Sequence, residues 1–183
     1  MGLDMNLYKK TYVKNWQYMR PEELHKITIK RGGLVRKDIK PERISYIVED
    51  IGYWRKANQI HKWFVDNVQD GNDDCGTYYV SAEKLLELKK LCETVISKSK
   101  LVEGDVINGQ TFKDGKLVPI VEHGMVIEDP SVAKELLPNE AGFFFGSTEY
   151  DKWYLDDLKE TVKIIDEALD DDADGDFEYS SSW

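Results

Sequence analysis

The chain has 183 residues, of which 41% are hydrophobic, and a net charge of −10. This is enough apolar material for one sizeable core, and no apolar run reaches the roughly eighteen residues that a membrane-spanning helix needs. An acidic surface of this size repels phosphate backbones, so direct nucleic-acid binding is not expected unless the basic N-terminal segment forms its own patch, and a basic protein partner is.

The opening MGLDMN lacks the basic-then-apolar pattern of a secretory leader, so a cytoplasmic protein is expected. Cys75 and Cys92 are far apart, and His25, His61 and His123 lie in separate segments without zinc-ligand spacing. Neither a disulfide, a metal nor another cofactor is expected. The charge is unevenly spread: residues 1–43 carry eleven Lys/Arg against five Asp/Glu, 44–163 carry fourteen against twenty-two, and 164–183 carry none against eight.

In chain order, residues 3–13, 25–30 and 34–37 read as strands, the last two joined across Arg31-Gly32-Gly33 as a hairpin. Residues 43–51 have apolar side chains on both phases, which predicts a strand covered on both sides, with a short helix as the alternative. Ala57, Ile60, Phe64 and Val68 recur at helical spacing within 55–68, before the turn-forming run Asp70-Gly71-Asn72-Asp73-Asp74. Ser81 is placed to cap a helix over 82–97 whose apolar face is Leu85, Leu88, Leu91, Cys92 and Val95.

Residues 104–128 hold two hairpin signals, Asn108-Gly109 and Asp114-Gly115, and predict a small β-meander inserted in the domain. Pro130 opens a short helix ended by Pro138, Phe143-Phe144-Phe145 reads as a buried strand, and Thr148 and Asp151 stand at capping-box spacing. The helix that follows carries Tyr154, Leu158, Val162, Ile165 and Leu169. The fold class expected is α+β: an antiparallel sheet with about three main helices packed on it plus the meander, forming one domain over 1–169. Residues 170–183 are too charged and too poor in aliphatics to pack, and are expected to be a flexible acidic tail.

Two segments are candidates for binding. In the first, Tyr53, Trp54, Arg55, Lys56, Asn58, His61, Lys62 and Trp63 mix aromatic faces with cations, a composition that suits stacking on a nucleotide base and pairing with its phosphates. In the second, Asp170, Asp171, Asp172, Asp174, Asp176 and Glu178 form an acidic surface suited to a basic groove. Asp170, Asp172, Asp174, Gly175 and Glu178 also follow EF-hand spacing, but Ser181 occupies the position where that loop needs a bidentate Glu. Asp70, Asp73 and Asp74 read as turn formers rather than ligands. No nucleophile elbow, phosphate-binding loop, dinucleotide fingerprint or zinc-protease motif is present, so a non-enzymatic role is expected. The one acid–base pairing to consider is His61 with Asp70 or Asp74.

The opening MGLDM with Leu7-Tyr8, the central YWRKAN–IHKWF at 53–64 and GFFFGSTEYDKW at 142–153 together resemble a family of small uncharacterised bacteriophage and prophage proteins. That resemblance implies no activity, ligand or catalytic residue; it implies a phage context, in which small accessory proteins often inhibit a host system. The leading expectation is a non-enzymatic, anti-CRISPR-like inhibitor that competes for the basic nucleic-acid groove of a bacterial defence nuclease. The alternatives are a protein that sequesters a nucleotide signal at 53–63, or a hydrolase of such a signal.

Overall fold

The computed structural model describes residues 2–113, 115–142, 145–170 and 175–183. The architecture is α+β. Strands β1 (Asp4–Tyr12), β4 (Tyr46–Arg55), β5 (Thr77–Val80) and β8 (Asp176–Ser182) form one antiparallel sheet in the order β4-β1-β8-β5. Side chains alternate across it: Met5 and Leu7 on β1, Gly52 and Trp54 on β4, Phe177 and Tyr179 on β8 and Val80 on β5 are buried.

Helices α1 (Asn58–Asn67) and α4 (Lys152–Asp170) pack on this face, and α2 (Ala82–Lys98) packs against α4. Ser81 caps α2 as the sequence predicts, its hydroxyl accepting from the Lys84 amide at 3.3 Å. The fit of α4 to the sheet depends on Gly52, where a Cβ would meet Ile164 Cγ2 at 2.5 Å. Tyr179 of β8 stacks on Phe64 of α1 with ring centroids 3.9 Å apart and planes 9° apart.

The C-terminal segment corrects the flexible-tail expectation. Residues 176–182 are a central strand, hydrogen-bonded to β1 on one side and β5 on the other. Phe177, Tyr179 and Ser181 alternate with Glu178, Ser180 and Ser182, a period of two that serves a strand even in acid-rich surroundings. Asp171, Asp172 and Asp174 lie outside the described residues.

Other expectations shift as well. The predicted strands over 25–30 and 34–37 shrink to the two-residue pair β2 (Lys30–Arg31) and β3 (Leu34–Val35). Strand β4 is not covered on both sides, since Tyr46, Ile47 and Val48 are exposed. It also continues to Arg55, so α1 starts three residues later than its periodicity suggests.

The predicted meander is one long hairpin of β6 (Leu101–Lys113) and β7 (Lys116–Ile127), with Asn108-Gly109 at a register shift inside β6 rather than at a turn. The hairpin is tied to the body where the Ile127 amide meets the Tyr150 carbonyl at 2.9 Å. The short helix after Pro130 is α3 (Ser131–Leu136). Phe145 is buried but lies outside any strand, and Phe143 and Phe144 fall outside the described residues. No helix among the described residues is long and apolar enough to cross a membrane.

Candidate functional site

The end of β4, the start of α1 and the loop leading into α4 enclose a cleft of about 580 Å³. Arg55, Lys56 and Gln59, the loop residues Gly146, Ser147, Thr148 and Glu149, and Trp153 and Asp157 of α4 line it, together with Ile107 from the 101–127 segment. The central and 142–153 segments, some ninety residues apart, therefore meet at one place.

The meeting is built by hydrogen bonds and a tight backbone approach. Asn58 is buried, and its amide donates to the Phe145 carbonyl at 3.1 Å and the Ser147 carbonyl at 2.8 Å while its oxygen accepts the Glu140 amide at 2.9 Å. Asn139 donates to the carbonyls of Thr148 at 3.0 Å and Glu149 at 3.2 Å. Lys56 has φ of 62°, in the left-handed region, with its amide held by the Leu3 carbonyl at 2.8 Å. Gly146, with φ of 95°, passes so close that a Cβ there would meet Lys56 Cβ at 2.9 Å. Backbone strain at such a contact is a feature of ligand sites.

Arg55 and Lys56 are exposed, Arg55 forming a long ion pair with Asp4 at 3.9 Å. Trp153 is 72% exposed, with the Lys152 ammonium 5.0 Å from its ring centroid. Asp157 sits lower in the cleft, where it accepts from Gln59 Nε2 at 3.1 Å. Burial pushes its carboxyl up to about 6, against the smaller opposing effect of the Gln59 hydrogen bond. Asp151 is committed to structure: it caps α4 by accepting the Trp153 amide at 2.8 Å and the Tyr154 amide at 3.1 Å. Of the predicted capping pair it alone caps; the Thr148 carbonyl instead serves Asn139.

The predicted residues divide clearly. Arg55 and Lys56 line the cleft, and Asn58 builds it from beneath. Trp54 and Trp63 are core residues, 3% and 5% exposed, so neither offers a ring face to a base, which corrects their assignment as stacking groups. Trp54 donates its indole N–H to Thr161 at 2.9 Å. Tyr53 is half-exposed beside Asp4, to which its hydroxyl donates. Lys62 pairs with Asp66 at 3.2 Å and Glu140 at 3.3 Å, and those carboxylates raise its pKa, the Asp66 hydrogen bond most.

His61 is buried, with Nδ1 2.8 Å from the Tyr179 hydroxyl and Nε2 3.1 Å from Asp73. Its carboxylate partner is Asp73, not Asp70 or Asp74, and Trp183 donates to that same oxygen at 3.0 Å. This chain of bonds fastens β8 to α1. On the acidic segment, Asp170 ends α4, Asp176 begins β8, and Glu178 is paired with Lys10 at 2.9 Å. Glu178 is therefore a strand residue with a cation beside it, rather than the ninth position of a calcium loop.

Sequence reasoning missed Gln59, Trp153 and Asp157. Asp157 had a signal: it lies three residues after Tyr154 and four before Thr161, beside the buried stripe of α4. In comparisons with known proteins, no family model matches the chain, and no curated protein or solved structure matches it.

Proposed function

We propose that the cleft binds and sequesters a small anionic ligand with an aromatic ring, of the nucleotide type. The observation that carries this reading is the placement of two exposed cations, Arg55 and Lys56, and one exposed indole, Trp153, around a single polar cleft. A guanidinium and an ammonium recognise phosphate by charge-assisted hydrogen bonds, and an indole face supplies stacking that is indifferent to which base is present. Gln59 and Asp157 add an amide and a carboxyl at the floor, groups that pair with the polar edge of a ring. An acid of raised pKa in a cleft is itself a mark of a functional site.

The expectation of an acidic inhibitor competing with nucleic acid rests on charge and on the resemblance to small phage proteins. Asp176 and Glu178, two of its six acids, are engaged in β8, so the cleft has more behind it.

Titration calorimetry with a panel of mono-, di- and cyclic nucleotides tests the reading. Wild-type protein is expected to bind at least one, and Arg55→Ala and Trp153→Ala are each expected to weaken it about tenfold or more. Recovery of the ligand unchanged supports sequestration, whereas a cleaved product would make the site a hydrolase. No heat with any member of the panel, or unaltered affinity in both variants, would overturn the assignment.

A further inference from the structure

A different part of the molecule is built for contact. Strand β1 pairs with β8 only over residues 4–10 but with β4 as far as Tyr12↔Tyr46, so the β1–β4 ribbon runs on past its neighbour. Val13 closes it, its amide 3.0 Å from the Ser45 carbonyl, and the chain between leaves as an arm.

Residues 14–45 contain no buried side chain. Local contacts shape the arm, with Ile27, Ile29 and Ile39 partly buried: Asn15 and His25 exchange two hydrogen bonds at 2.9 Å, the Arg36 amide reaches the Ile29 carbonyl at 2.9 Å, Trp16 donates to the Tyr12 hydroxyl at 2.9 Å, and β2 pairs with β3. A segment with so little packing of its own is marginal in water.

Its surface combines apolar groups with positive charge. Tyr18 is 82% and Leu34 77% exposed, with Trp16, Leu24 and Val35 also exposed. Residues 14–45 hold nine Lys/Arg against four Asp/Glu, while the rest of the chain holds sixteen against thirty-one. Among the described residues Arg20 pairs with Glu22 and Glu23, and Arg36 with Asp38, but Lys26, Lys30, Arg31 and Lys37 have no carboxylate within salt-bridge distance. Exposed aliphatic side chains such as Leu34 and Val35 ask for an apolar counterpart, which a protein surface supplies and a phosphodiester chain does not.

We propose that this arm docks on the acidic body of a second copy of the same chain, reciprocally, to form a two-fold dimer. Charge complementarity selects the occupant: the arm carries a net +5 and the remainder of the chain a net −15. A reciprocal exchange also closes the assembly, so each arm is covered once.

Sedimentation velocity over a range of protein concentrations, at about 50 mM and about 1 M salt, tests this directly. Wild-type protein is expected to be a dimer at low salt and to dissociate at high salt. Lys26→Glu, Lys30→Glu and Arg31→Glu combined are expected to give a monomer at low salt with an unchanged circular dichroism spectrum, because all three side chains are exposed. Leu34→Ser, which leaves the charge alone, is expected to weaken the dimer. A monomer at every concentration in low salt, or a dimer that survives the triple reversal, overturns the proposal. So does a monomeric wild type that binds a labelled single-stranded oligonucleotide through these same cations.

Discussion

Asp157 is costly to keep, and its cost has a definite sign. Burial raises its pKa from 3.8 to about 6, so between those values the folded protein holds a proton that the unfolded chain has released. Stability from this group is therefore fully present below about pH 4, declines as pH rises, and above about pH 6 the ionised carboxylate works against the fold. Asp157→Asn, which stays neutral and still accepts from Gln59, is expected to be more stable than wild type at pH 7 by about 1–3 kcal/mol. The difference should vanish near pH 4. Urea denaturation at both values measures it, and a variant less stable than wild type at pH 7 would contradict the account. An acid retained against stability fits a role in binding. Trp54 shows why residue roles were only half legible. Trp54 and Arg55 are neighbours on a strand, where alternation sends one inward and the other to the cleft; a helix assumed to start at Arg55 hides that split.

At the scale of elements, β8 is where sequence and structure part most. Composition favoured a mobile tail, because eight acids and no cations occur in 164–183. Composition does not register that Phe177 and Tyr179 are buried, Tyr179 stacked on Phe64 of α1, or that the ladder to β1 and β5 satisfies the backbone on both sides. Removing 176–183 is therefore expected to abolish cooperative thermal unfolding, since it splits the sheet and leaves His61 without its Tyr179 partner. A truncated chain with an unchanged melting curve would restore the tail reading. Helices α2 and α4 were legible because their apolar stripes persist over several turns. The inserted hairpin was legible in kind but not in form: Asn-Gly suits a tight turn, yet here it marks a bulge within a strand whose pairing resumes beyond it.

Over the whole molecule, charge and shape divide into a basic arm, an acidic body and one polar cleft. The regional charge was readable from the sequence, and the arm adds that the basic region holds no buried side chain. The cleft was readable only in halves, because no local pattern says that the loop at 145–149 will be bound by Asn58 and Asn139. On our proposal this cleft holds a nucleotide-type ligand. Native mass spectrometry of the protein purified from bacterial cells, compared with the same sample after denaturation, tests it most directly. A nucleotide-sized adduct is expected on the native chain, released by denaturation and missing from Arg55→Ala combined with Lys56→Ala. A bare wild-type chain, or an adduct retained in full by the double variant, would contradict it.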